Sequence, residues 1–160
     1  MSVTLDILRA WRDPRGVIRA RLADGVREDR ALATVMGACF LIFVSRLPEL
    51  SRMAHLDPSI PLDARLGSTL FVMLFVVPLV LYLVAALSHL VAKVFGGRGS
   101  WFSARLALFW ALLALVPALL FLGLVRGFLG EGGTATGLGG LVFAGFLYLW
   151  ISMLYEAERG

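Results

Sequence analysis

Between Leu66 and Val125 the chain carries two long stretches without a charged side chain. Gly67 to Ala92 is 26 residues with no Lys, Arg, Asp or Glu, and Leu106 to Val125 is 20 more. A helix rises 1.5 Å per residue, so about 20 apolar residues cross a bilayer core about 30 Å thick. A basic turn joins the two runs: Lys93 to Arg105 holds three cations and no carboxylate. The pattern predicts a membrane hairpin, and the rest of the chain has to be read around it.

Composition agrees with that reading. Apolar residue types make up 59% of the 160 residues, charged types 16%, and the mean hydropathy is +0.86. Soluble domains sit near 45–50% apolar and about 25% charged, and a core of this size has no room for the surplus. The net charge of +4 is modest and unevenly placed, so it speaks to orientation at a membrane. No Lys/Arg cluster is interleaved with aromatics as a single-strand groove requires, so nucleic acid is not an expected partner. Cys39 is the only cysteine, which excludes an internal disulfide and a CxxC or zinc site; its apolar surroundings predict an inert buried thiol. Residues 1–30 hold seven arginines and five acids with no uninterrupted apolar stretch, so no signal peptide is expected.

Two regions follow: an amphipathic N-terminal segment, 1–30, and a helical membrane domain, 31–160. In the first, Ser2 or Thr4 can cap a short helix with Leu5, Ile7, Leu8 and Trp11 on one face. After Pro14 and Gly16 a second short helix carries Val17, Ile18 and Leu22, with arginines elsewhere. Leu8, Trp11, Arg12, Arg15, Ile18 and Arg19 form the pattern of helices lying in the headgroup layer, although a solvated or partner-bound tail reads the same way.

The membrane domain predicts four spans, about 31–50, 66–95, 104–126 and 137–155. The first is short: Ala31 to Ser45 is 15 residues, with Arg46 placed to snorkel and Pro48 weakening the last turn. A re-entrant helix is the alternative. Residues 46–65 read as a loop punctuated by Pro48, Pro58 and Pro61; His55 there reads as solvated. Pro78 should kink the second span. Its polar members are Tyr82, Ser88 and His89, and an intramembrane ionisable group is a functional hypothesis by default. His89 also lies near the headgroup end, where a histidine bonded to a neighbour is as good a reading.

On the third span Ala104, Ala107, Ala111, Ala114 and Ala118 recur at steps of 3, 4, 3 and 4. Helices associate in lipid through close approach of small residues, so the stripe predicts a tight contact with another span. Pro117 should bend the far end. Residues 126–136 read as a glycine-rich turn, and Gly139, Gly140 and Gly145 offer close contact on the last span. Glu156, Glu158 and Arg159 are expected in water.

With four spans, the side holding residues 1–30, the 93–105 turn and the tail has eleven Lys/Arg, and the other side has four. The positive-inside bias then puts both termini in the cytoplasm. No catalytic or cofactor motif is present, no carboxylate lies between Gly67 and Phe128, and no metal site is expected.

The segment Ala86 to Phe102, with its Gly96-Gly97-Arg98-Gly99-Ser100 turn, runs into Leu106 to Ala118 with a late Pro117. It resembles bacterial members of the Yip1 family, which show an apolar helix, a glycine-basic-glycine-serine-aromatic turn and then a helix with a late proline. Trp11-Arg12-Asp13-Pro14 resembles the family's helix-then-proline opening. The resemblance covers most of the chain and implies architecture: a multi-pass protein of a bacterial inner membrane. Family members usually have about five spans, where this chain offers four. Eukaryotic relatives are linked to trafficking through Rab GTPases, a machinery that bacteria lack.

The sequence therefore predicts an all-α integral membrane protein, not an enzyme, with the lipid bilayer and other membrane subunits or further copies of itself as partners. Three roles stay open. The first is a scaffold or accessory subunit acting through helix contacts. The second is a small transporter or channel using Tyr82, Ser88 and His89. The third is a membrane-shaping protein working through the N-terminal helices.

Overall fold

A computed structural model describes residues 2–159, and every regular element in it is helical. Two short helices, α1 (Val3–Ala10) and α2 (Pro14–Ala23), precede α3 (Glu28–Leu56). Next come α4 (Leu62–Phe71), a π-helical turn (Val72–Val76) and α5 (Val77–Val94), which run on as one rod. Helices α6 (Trp101–Leu129) and α7 (Gly133–Glu158) complete the chain. Glu28–Leu56, Leu62–Val94, Trp101–Leu129 and Gly133–Glu158 are each long and apolar enough to cross a membrane. At 1.5 Å per residue, the 29 residues of α3 extend about 44 Å, more than a bilayer core needs.

The helices overrun the expected spans at nearly every end; the second alone stops one residue short, at Val94. Residues 46–65 are mostly helix rather than loop: α3 continues through Pro48 to Leu56, and α4 starts at Leu62. A span's apolar run marks where lipid begins, whereas backbone hydrogen bonding continues into the headgroups. The expected turn at 126–136 shrinks in the same way, since Arg126 and Gly127 belong to α6. Ser2 sits at the N-cap of α1 without a side-chain bond, while Asp13 caps α2 by accepting from Gly16 N–H at 2.8 Å.

Pro78 has a visible effect. It lacks an N–H and its ring crowds the carbonyl four residues back. The π-helical turn at Val72–Val76 lies directly before it and widens the ladder there.

Helix α6 is the centre of the bundle. Its Ala104, Ala107, Ala111 and Ala114 are fully buried, the last three in one core with Ala31, Val35, Ala38 and Cys39 of α3 and Leu149 and Met153 of α7. The closest backbone approaches come from two other small residues. A Cβ on Gly123 would collide with the Ser45 carbonyl, and one on Gly127 with Pro48. The α4–α5 rod is the least enclosed span and turns Phe71, Phe75, Leu79 and Leu83 outward.

The N-terminal helices pack onto α6 and α7. Ile18 is fully buried and Trp11 half-buried, so neither lies free in the headgroup layer. The Trp11 indole N–H donates to the Ala114 carbonyl at 2.9 Å, and its ring fills the space a Cβ on Gly145 would take. Leu8, Arg12, Arg15 and Arg19 remain exposed.

Candidate functional site

The expected polar residues of the second span do not gather. Among the described residues no hydrogen bond joins Tyr82, Ser88 and His89 to one another. Tyr82 meets the edge of Phe109 at 5.1 Å and lies under Arg105 at 5.9 Å. The Ser88 hydroxyl donates to its own helix, to the Ala85 carbonyl at 2.7 Å. His89 alone leaves its helix for a partner.

That partner is Glu158. His89 is 1% exposed and Glu158 7%. Nδ1 of His89 stands 2.7 Å from Oε1 of Glu158, which makes Nδ1–H the donor against a carboxylate. The other carboxylate oxygen accepts from Gly99 N–H at 3.2 Å, and the Glu158 carbonyl accepts from Arg98 N–H at 2.7 Å. The expectation that Glu158 ends in water is therefore corrected. A buried histidine next to a carboxylate-free turn needs an acceptor, and the last turn of α7 delivers one to the same end of the bundle. That unmet demand was a partial signal in the sequence: three cations and a histidine lie in 89–105 without a carboxylate, while acids on the same side occur in both residues 1–30 and the tail.

The glycine turn builds the seat. Gly96 has φ +87° and ends α5, with Gly97 N–H on the Ala92 carbonyl at 2.8 Å and Gly96 N–H on the Lys93 carbonyl at 3.0 Å. This is a Schellman closure, which needs a left-handed residue at that point. A Cβ on Gly97 would stand 2.8 Å from Oε2 of Glu158, and one on Gly99 would strike the Ala157 carbonyl at 2.5 Å. Ser100 then caps α6 in a reciprocal box: Ser103 N–H to Ser100 Oγ at 3.1 Å and Ser100 N–H to Ser103 Oγ at 2.9 Å. Trp101 covers His89 with ring centres 4.6 Å apart. The turn thus presents a backbone N–H to the carboxylate and keeps side chains away from it.

The same end of the bundle carries more ties. Arg19 pairs with Glu156 at 2.8 Å, Arg15 lies over Tyr155 at 4.9 Å, and Arg105 pairs with Glu28. On the opposite end, Gly139 is approached only by Arg126, and Gly140 faces open space, so the contact expected of that glycine pair is not made inside the chain. Ala118 is partly buried. Among the described residues no three His, Cys, Asp or Glu side chains gather as a metal cage.

The arrangement suits structure better than chemistry. A buried histidine–carboxylate hydrogen bond fixes geometry, and losing one partner strands a buried polar group. His89 and Glu158 join α5 to the C-terminal turn of α7 across the start of α6, so one pair ties three spans.

Comparison with the curated proteins finds no match, and comparison with the solved structures finds none. The family model described as Yip1 domain matches residues 11–159, from Trp11 through the whole membrane bundle to the residue after Glu158. With four apolar spans and nearly its full length inside that match, this multi-pass membrane protein belongs to the Yip1 family.

Proposed function

We propose that the protein is a non-enzymatic scaffold or accessory subunit of a larger membrane complex, in a bacterial inner membrane with both termini in the cytoplasm. The observation that carries this reading is the commitment of His89 to Glu158. The ionisable group buried at that membrane edge serves an internal tie, which favours a rigid body that meets partners over a proton or ion path. The outward apolar face of α4–α5 offers a partner span, or lipid, a broad surface. The eleven-to-four Lys/Arg asymmetry supports the orientation.

The test is a native gel of tagged protein extracted in mild detergent from its own membrane, with mass spectrometry of the band. Migration with a large complex supports the reading. Migration at the mass of a monomer or small homo-oligomer counts against it.

One observation favours membrane shaping as a second reading. Helix α1 buries Asp6 and Ala10 against the bundle yet leaves Val3, Leu5 and Leu8 exposed. That apolar ridge is placed to enter one leaflet. Deleting residues 1–24 and measuring vesicle curvature preference tests it.

A further inference from the structure

A groove of about 740 Å³ opens between α2, α3 and α6. Its rim carries Arg21, Arg27 and Arg30, with Asp24 as the one acid in its lining. Below the rim the α3 wall is made of small residues, Ala33, Thr34 and Gly37, ending at Leu41. The α6 wall is apolar, through Leu106, Trp110 and Leu113. We propose that this groove seats one anionic phospholipid, its phosphate between Arg27 and Arg30 and one acyl chain along Ala33, Gly37 and Leu41.

Depth supports a lipid. The pairing of Arg105 with Glu28 sets the start of α3 level with the first turns of α6, where the cations cluster. From Arg30 to Leu41 is 11 residues, about 16 Å along the axis. Half of a bilayer core about 30 Å thick is the same distance, so the groove runs from the headgroups to the end of one leaflet.

Charge supports an anionic headgroup. Arg27 pairs with Asp29 at 3.3 Å and Arg30 with Asp24 at 3.6 Å, but all four side chains are about half exposed or more. Such pairs are weak and yield readily to a phosphate, which adds bidentate acceptors. Arg21 is held differently. It pairs with Asp6 and lies over the Trp110 ring at 4.4 Å, yet its buried Nε has no hydrogen-bond partner.

The small wall supports a chain. Gly37 is exposed, and a Cβ there meets nothing within 4 Å. A larger side chain at that point therefore starts from open space beside the groove.

The test is native mass spectrometry of the full chain in mild detergent, with phosphatidylglycerol and phosphatidylcholine of identical chains as probes. The expected result is retention of phosphatidylglycerol over phosphatidylcholine by roughly thirtyfold, the scale set by two surface cations. The Arg27→Gln/Arg30→Gln variant loses that preference, and Gly37→Phe lowers retention of both lipids. Thermal melts identify folded variants; these three positions are exposed, so the melts should match wild type. Equal retention of the two lipids, or a preference unchanged in Arg27→Gln/Arg30→Gln, overturns the proposal. So does displacement by glycerol 3-phosphate at equal concentration, which would assign the rim to a soluble phosphate. A proteinaceous helix co-purifying in the groove in place of lipid would overturn it as well. The proposal does not depend on the scaffold reading, and neither test decides the other.

Discussion

Oε1 of Glu158 receives Nδ1 of His89 at 2.7 Å across 69 residues of chain, and both side chains are buried. Around this pair the end of α5, the glycine turn and the last turn of α7 become one unit. The unit sets how these ends of the spans sit, and it commits His89 to an internal partner.

Breaking the pair from one side should be costly. Glu158→Ala leaves His89 buried without its acceptor and Gly99 N–H without its carboxylate. Loss of about 1–3 kcal/mol is expected, the range for a buried donor left without its acceptor. Glu158→Gln keeps an acceptor and should lose less. Thermal melts in detergent, followed by tryptophan fluorescence, give both values. A melt of Glu158→Ala equal to wild type would mean the pair does not hold the native bundle.

The glycines of the turn should divide sharply from glycines elsewhere. Gly99→Ala drives a methyl into the Ala157 carbonyl and Ser103 Oγ, and Gly97→Ala drives one against Glu158 and the Ala92 carbonyl. Each should lower stability by about 1–3 kcal/mol. Gly140→Ala meets nothing within 4 Å and should be neutral or slightly stabilising. Parallel melts of the three variants check the ordering.

Gly123 and Gly127 make the closest backbone approaches between α3 and α6. Gly123→Leu should separate the helices, because its Cβ alone would collide with the Ser45 backbone. The expected readout is loss of the compact detergent-resistant form on a gel filtration column. Unaltered elution and melting would contradict the assigned packing.

Trp11 anchors the N-terminal helices. Trp11→Phe retains most of the ring but removes the indole donor to Ala114, at a cost of about 1 kcal/mol. Limited proteolysis should then cut earlier between Ala10 and Asp24, while the four spans stay protected. Cleavage at the wild-type rate would show that the hydrogen bond contributes nothing to docking.

The spans were readable because lipid imposes a length and an apolar run, and Gly67–Ala92 and Leu106–Val125 meet both conditions by themselves. The alanine stripe was readable because helical spacing places Ala104, Ala107, Ala111 and Ala114 on one face. Its partner was not, since nothing in α6 names α3. The stripe lies in the chain's own core, so Ala111→Leu now tests folding before it tests assembly. Gly123 and Gly127 were hidden in a leucine-rich helix and an apparent turn, because a close approach depends on the neighbour as well as on the glycine. Glu158 was misplaced for a related reason. A charged tail reads as solvated locally, and only the fold brings it under His89.

The most direct test of the account is a double-mutant cycle on His89→Ala and Glu158→Ala, measured by reversible unfolding in mixed micelles. If the pair is the tie described here, the double variant will be less damaged than the two single losses added together, with a coupling of roughly 1–3 kcal/mol. Additive losses would contradict the central claim, because they would mean that His89 and Glu158 stabilise the bundle independently of each other.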